Sequence, residues 1–253
     1  MYNSIMDELE KLKAENGKLK EINSAKSDMI SISAHQLRTS LSALKWILRM
    51  FIDKDLGKIT TEQEGFIQKA FDSNERMIAL VNDLLTLNHA DNTTIQFNFK
   101  ETNVLDILEQ TIFEFYGETH KKGIELIFLK PYTEIPRASC DVEMIRVVFQ
   151  NLIENAIKYS QPNDKVLVSL KYNQDTNNIE ISFHDTGIGI KPEDQSKIFE
   201  KFFRAENAIS KEYVGSGLGL FTTKNIVEKH KGKIWFESNP ENGTTFFVTL
   251  PII

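Results

Sequence analysis

The sequence predicts a chain in two parts, α followed by an α/β sandwich. A helical hairpin that pairs into a dimeric four-helix bundle comes first, and a sheet with helices on one face follows. Three observations carry this. Residues 1–90 hold no proline and three glycines, Gly17, Gly57 and Gly65, and their apolar residues recur at helical spacing. From Asp91 onward the chain carries all six prolines and nine of the twelve glycines. There the apolar residues alternate in short runs separated by polar turns, the pattern of a half-buried sheet.

Composition narrows the function classes. At 253 residues the chain is one or two domains, and 41% hydrophobic with 26% charged residues is ordinary globular usage. A net charge of −6 argues against nucleic-acid binding, which needs a basic footprint. No apolar run approaches the ~18 residues of a membrane span, and the start MYNSIMDELEKLK has no signal-peptide core. A single cysteine, Cys140, excludes an intramolecular disulfide and a cysteine-based zinc site, so a reducing, cytoplasmic setting is expected.

Within the first part, Ile5, Leu12 and Leu19 recur at heptad spacing, with Leu9 and Asn16 at the complementary position. This reads as a short coiled-coil seam, where a single Asn often fixes the register of a parallel dimer; an ordinary surface helix with a leucine stripe is the competing reading. The apolar stripe continues through Ile30, Ala34, Leu37, Leu41, Leu44 and Leu48. A break at Lys54–Lys58 follows, and Thr60-Thr61-Glu62-Gln63 opens a second helix with Phe66, Ile67, Ala70, Phe71, Met77, Ile78, Val81, Leu84, Leu85 and Leu87 on its apolar side. One antiparallel hairpin cannot cover both stripes, so a second copy is expected.

The second part reads as strand Ile95–Lys100, helix Val104–Thr119, strand Ile124–Lys130 and helix Val142–Tyr159. Strands Lys165–Tyr172 and Asn178–His184 follow, then a glycine-bearing loop, a helix Leu218–Lys231, and closing strands Lys233–Ser238 and Thr244–Leu250. Short turns at Asn173–Asn177 and Asn239–Gly243 imply antiparallel neighbours.

Three clusters could hold chemistry. Helix 142–159 buries Ile145, Val148, Phe149, Leu152, Ile153 and Ala156, and sets Asn151, Asn155 and Lys158 along one edge. Two carboxamides and an ammonium so spaced suit a metal–phosphate site; a solvated polar face is the competing reading. Next, His184-Asp185-Thr186-Gly187-Ile188-Gly189 follows a strand, where small residues let backbone approach a ligand and the carboxylate can accept from an amine. Then Gly215-Ser216-Gly217-Leu218-Gly219 opens a helix, whose free N–H groups favour phosphate; a flexible turn is the bland alternative. It is no dinucleotide fingerprint, because the third glycine arrives one residue early. Between the last two lie the aromatic run Lys197–Arg204, which local core packing would also explain, and a polar stretch, Ala205–Val214, long enough for a lid.

The order NLIENAIKYS, DTGIGI, FEKFFR, GSGLGL, GTTF resembles the ATP-binding domain of sensor histidine kinases, a Bergerat-type α/β sandwich shared with gyrase and heat-shock-chaperone ATPases. The resemblance covers residues ~95–253. SAHQLRTSLSALKWIL resembles the phospho-acceptor box of the same family. There His35 lies about 140° around the helix from the Ala34/Leu37/Leu41/Leu44/Leu48 stripe, so it faces solvent. The remaining histidines, His89, His120, His184 and His230, show no metal-ligand spacing.

The resemblance implies a two-component sensor histidine kinase that autophosphorylates His35 with ATP and Mg²⁺ and passes the phosphoryl group to an aspartate of a response-regulator receiver domain. It assigns Asn155 to the metal with Asn151 close by, Lys158 to the phosphates, Tyr159 to the nucleotide and Asp185 to the adenine amine. Gly187, Gly189, Gly215, Gly217 and Gly219 shape the pocket, Thr245 of the GTTF box joins it, and Arg204 reaches the γ-phosphate. Thr39 orients water in a reverse, phosphatase activity. Trp46, three turns beyond His35 on the same face, anchors a partner or packs in the bundle.

Two departures fall on the reacting helix. Gln36 stands where the family carries an acidic base, and an amide accepts a hydrogen bond but cannot take a proton. Ser40 replaces the usual proline and restores an N–H to the helix. The rival reading is therefore an ATP-binding scaffold with weakened or lost kinase activity. A gyrase-type hydrolase fits less well, because the acidic base it needs is here Asn151. The expected domains are a coiled-coil signal helix at 1–22, a dimerisation and histidine-phosphotransfer domain at 23–90, and a catalytic ATP-binding domain at 95–253, loosely tethered near 91–95. A homodimer is expected, with no nucleic acid and no membrane contact in this fragment, any sensor lying upstream.

Overall fold

The computed structural model describes residues 2–91, 97–205, 216–240 and 242–252. It divides into two units, Met1–Ile95 and Gln96–Ile253. Gly215, positions 206–214 of the expected lid and positions 92–95 of the tether lie outside the described residues.

The first unit is the expected hairpin. Helix α1 runs Tyr2–Ile52 without interruption and α2 runs Thr61–Asp91. α1 stops where Lys54 and Gly57 turn into left-handed backbone, with φ of 66° and 106°. α2 opens with a reciprocal cap: the Gln63 N–H donates to Thr60 Oγ1 (3.2 Å) and the Thr60 N–H to Gln63 Oε1 (2.9 Å). Among the described residues of this unit only Ala34, Asn74 and Val81 are buried. Leu12, Leu19, Ile22, Met29, Leu37, Leu44, Ile47, Phe66, Met77 and Leu80 stay exposed. One hairpin therefore leaves much of its apolar stripe uncovered.

The second unit is a two-layer sandwich. Strand β1 (Lys100–Thr102) pairs antiparallel with β3 (Ala138–Cys140). A five-stranded sheet contains β2 (Glu125–Leu129), β4 (Lys165–Asn173), β5 (Asn178–Asp185), β7 (Gly243–Pro251) and β6 (Lys233–Asn239), in that order. The two short turns do join antiparallel neighbours, β4–β5 and β6–β7, whereas β2 lies parallel to β4 across the α4 crossover. Helices α3 (Val104–Lys122), α4 (Val142–Tyr159) and α6 (Gly219–Lys229) accompany a single turn, α5 (Pro192–Gln195). Alternation fixes which face is core: Val166, Val168 and Leu170, Ile179, Ile181 and Phe183, and Phe246, Val248 and Leu250 are all buried against the helices.

One expected strand moves. Positions 95 and 96 of the expected Ile95–Lys100 lie outside the described residues; β1 begins only at Lys100, because Phe97–Phe99 have other partners. The Asn98 N–H donates to Asp141 Oδ2 (2.8 Å), and Phe97 and Phe99 pack their rings on His230. The three-residue β3 has too short a pattern to read from sequence.

Candidate active site

Helix α4 is held at its start by Asp141, whose Oδ1 accepts from the Met144 N–H (3.2 Å). Its apolar face is wholly buried, and Ile157 joins the six residues expected there. That anchoring leaves Asn155 and Tyr159 on the wall of an open cleft of about 600 Å³. Asp185, Gly189, Arg204 and Thr244 complete its polar lining; Ile188, Ile190, Ile198, Phe203, Leu220 and Phe246 make the rest apolar. A mainly apolar cleft with a few convergent polar groups suits a flat heterocycle carrying a charged tail.

Asp185 ends β5 and is only 5% exposed. Its Oδ1 accepts from the Gly187 N–H at 3.0 Å. Burial pushes its carboxyl up to about 6, against the opposing pull of the backbone N–H groups of Gly187 and Thr244. A carboxylate so placed gains from any further donor that a ligand brings.

Close approach requires Gly187, Gly189 and Gly217, and the first and last of these join elements. A Cβ on Gly187 would lie 2.3 Å from the Tyr159 carbonyl oxygen, which itself accepts from the Ile188 N–H (3.3 Å). This welds the glycine loop to the end of α4. Gly217, at φ 74°, leaves no room for a Cβ beside the Phe202–Phe203 backbone, and its carbonyl accepts from the Phe202 N–H (3.0 Å). The aromatic run and the start of α6 are thereby one structure.

The remaining expected residues separate into groups. Asn151 does not line the cleft: its Nδ2 reaches Gly219 O and Thr223 Oγ1, both at 3.4 Å, and so braces the first turn of α6. Lys158 extends over the Tyr159 ring, 4.8 Å from its centre. Thr245 is a correction. The β5–β7 register pairs it with His184, and its Oγ1 lies 2.9 Å from His184 Nδ1 on the sheet face away from the cleft. Thr244 faces the cleft instead. Its parity with Phe246, Val248 and Leu250 was the available signal. The apolar lining supplied by Ile188, Ile190, Ile198, Leu220 and Phe246 carries no signal of its own in the sequence.

In the hairpin unit, His35 and Gln36 are exposed on α1. Thr39 Oγ1 donates to the His35 carbonyl (3.0 Å), and Ser40 Oγ to the Gln36 carbonyl (3.1 Å). Trp46 is 65% exposed.

Residues 25–93 match the family model described as His Kinase A (phospho-acceptor) domain, and residues 140–253 match that of the histidine kinase-, DNA gyrase B-, and HSP90-like ATPase. The catalytic domain of histidine kinase ThkA is 30% identical, and its superposition covers 61% of this chain and 97% of that one with a TM-score of 0.53. The chain belongs to the sensor histidine kinase family.

Among curated histidine kinases, WalK of Bacillus subtilis is 32% identical over 91% of this chain and 37% of its own length. ThkA solved in complex with the response regulator TrrA is 25% identical, covering 89% of this chain and 61% of that one at a TM-score of 0.62. The chain spans about a third of the length of several of the curated relatives it matches. As a histidine kinase core, it carries its phospho-acceptor match in the hairpin unit and its ATPase match in the sandwich.

Proposed function

We propose that this chain is the kinase core of a two-component sensor histidine kinase: it binds ATP in the cleft and transfers the γ-phosphoryl group to His35. The observation that carries this reading is a solvent-facing His35 on a long helix, in a chain whose second unit holds a cleft with a buried carboxylate. The adenine amine donates to Asp185, and its ring lies among Ile188, Ile190, Leu220 and Phe246. Asn155 and Arg204 meet the phosphate tail.

No cluster of three or more His, Cys, Asp or Glu able to hold a metal exists among the described residues. The half-buried Asn155 carboxamide is an oxygen donor that would hold a Mg²⁺ brought by the nucleotide. Bound there, Mg²⁺ neutralises phosphate charge.

For the transfer, an imidazole nitrogen of His35 forms a bond to the γ-phosphorus as the bond to the β–γ bridging oxygen breaks, and ADP leaves with that electron pair. Positioning and charge neutralisation supply most of the acceleration. Gln36 orients the imidazole by accepting its N–H but takes no proton, so the proton passes to solvent. The phosphoryl group then moves to an aspartate of a response-regulator receiver domain, and Thr39 orients water in the reverse, phosphatase reaction. A second copy covers the exposed stripes of α1 and α2. The domains run 1–22, 23–90 and 95–253, and the core works in the cytoplasm, where ATP and response regulators are found. No helix among the described residues is long and apolar enough to cross a membrane.

Incubation with γ-labelled ATP should give acid-labile, base-stable label on the native chain and none on His35→Gln, with nucleotide affinity retained. Undiminished label on that variant refutes the assignment. A native chain that binds ATP without becoming labelled supports the scaffold reading instead.

A further inference from the structure

The hairpin buries three of its described residues, and one of them is polar. Asn74 sits on α2 one heptad before Val81, fully enclosed. Its Nδ2 donates to the Leu41 carbonyl of α1 at 3.0 Å, while its Oδ1 is buried with no donor among the described residues. In a continuous helix that carbonyl already takes the N–H of Lys45. The next residue, Glu75, reaches the same turn of α1, its Oε2 lying 2.8 Å from Lys45 Nζ. A buried, half-satisfied amide is a costly way to fill a bundle layer that leucine would fill better.

Its place on α1 suggests the reason. Leu41 follows the segment where the carbonyls of His35 and Gln36 are each shared with a side chain, by Thr39 and Ser40. Sharing of this kind weakens the i to i−4 ladder and lets a helix bend. Asn74 adds a third shared carbonyl from outside the helix and pulls it toward α2. Ser40 meanwhile supplies the backbone N–H that a proline would remove.

We propose that Asn74 is a positioning residue for the His35 reaction: its amide clamps the Leu41 carbonyl to α2, softens α1 just beyond the reacting histidine, and so sets the direction in which the imidazole is presented. This rests on the kinase reading of the previous section. In-line attack tolerates little misplacement, and about 1 Å can cost 10²-fold in rate. The clamp therefore acts on turnover and not on ATP affinity, since no nucleotide-binding residue lies on α2.

The test is Asn74→Leu in the full chain, with autophosphorylation followed over a range of ATP concentrations and Tm recorded. The expected result is a kcat at least fivefold lower, a KM for ATP within twofold of the parent, and a Tm equal or higher. Adding Ser40→Pro, which bends the helix at the same turn by another route, should return kcat to within twofold of the parent. A residue that merely filled space would show neither the kcat–KM split nor the rescue. A kcat within twofold of the parent in Asn74→Leu overturns the proposal, as does a loss that Ser40→Pro leaves uncorrected. Asn74→Ala serves under the same criteria if the leucine variant does not fold. A parent chain that takes no label overturns the kinase reading itself; a labelled parent with an indifferent Asn74→Leu overturns the clamp alone.

Discussion

Asp185 stands opposite Thr244 in the antiparallel ladder between β5 and β7, and both are buried at the cleft. One residue further along the same ladder, His184 and Thr245 bond to each other on the other face. A single step of register thus separates the cleft side of the sheet from the side behind it; on the cleft side Thr244 Oγ1 also lies 2.8 Å from Ser238 Oγ of β6.

The first prediction tests that step. Thr244→Val removes a hydroxyl from the cleft, whereas Thr245→Val removes the His184 contact behind it. The nucleotide Kd should rise at least threefold more for Thr244→Val than for Thr245→Val, measured by titration with a fluorescent ATP analogue. Equal effects would mean that the register does not govern access to the ligand.

A second prediction follows from the ionisation of Asp185. Its carboxyl is held at about 6, above its ordinary value of 3.8, chiefly by burial. A raised folded-state value means that the proton stabilises the fold: the contribution is present below 3.8 and is lost as pH rises through 6. Its full size is ~3 kcal/mol, from about two pH units. If Asp185 takes the proposed adenine role, nucleotide affinity runs the other way, because the carboxylate accepts an amine with both oxygens free of a proton. Affinity should fall by up to tenfold per pH unit below 6. In Asp185→Asn that dependence should vanish and Tm at pH 7.5 should rise. Calorimetric titrations between pH 5 and 8 decide it, and a flat profile in the native chain counts against the adenine role.

His230 supplies a third, of opposite sign. It is buried and its ordinary value of 6.5 is lowered, first by burial. Its Nε2 accepts from the Asp141 N–H (3.0 Å) and its Nδ1 lies 2.8 Å from the Ile226 carbonyl, a pattern that only the neutral ring satisfies. Because the folded state holds its proton less tightly, stability is present above 6.5 and is lost as pH falls through the lowered value. His230→Gln can make one donor and one acceptor bond without titrating. The sandwich unit should therefore lose less Tm between pH 7 and 5.5 in His230→Gln than in the native chain. An identical loss in both rules out His230 as the source.

The Gly187 contact gives a fourth. Alanine there would drive its Cβ against the Tyr159 carbonyl, so α4 and the glycine loop must part. Gly187→Ala should lower stability by ~2 kcal/mol or more and raise the nucleotide Kd at least tenfold. Thermal melts and titration measure the two effects; native values of both would show that the loop yields freely.

The fifth concerns Gln36. Supplying the missing base with Gln36→Glu should raise the autophosphorylation rate about tenfold or more, within the usual range for general-base catalysis. A rate unchanged or reduced in that variant would show that proton removal does not limit this chain.

The sequence by itself determined whatever repeats locally. The 3.6-residue stripe and the Thr60–Gln63 pair mark both long helices, and alternation marks β4 to β7, because burial of one face imposes its period on adjacent residues. The angle between His35 and the Ala34–Leu48 stripe is likewise local geometry. Only the tertiary structure decided what distant segments do to one another. It placed Thr244 rather than Thr245 in the cleft, since parity across the β5–β7 ladder joins residues about sixty positions apart. It turned Asn151 onto the first turn of α6 and drew Phe97–Phe99 away from a strand and onto His230. It enclosed Asn74, which reads in the sequence as one more polar residue of a surface helix, against the carbonyl of Leu41. Periodicity records which face is buried, but the partner that meets each buried group depends on packing, and no local pattern encodes it.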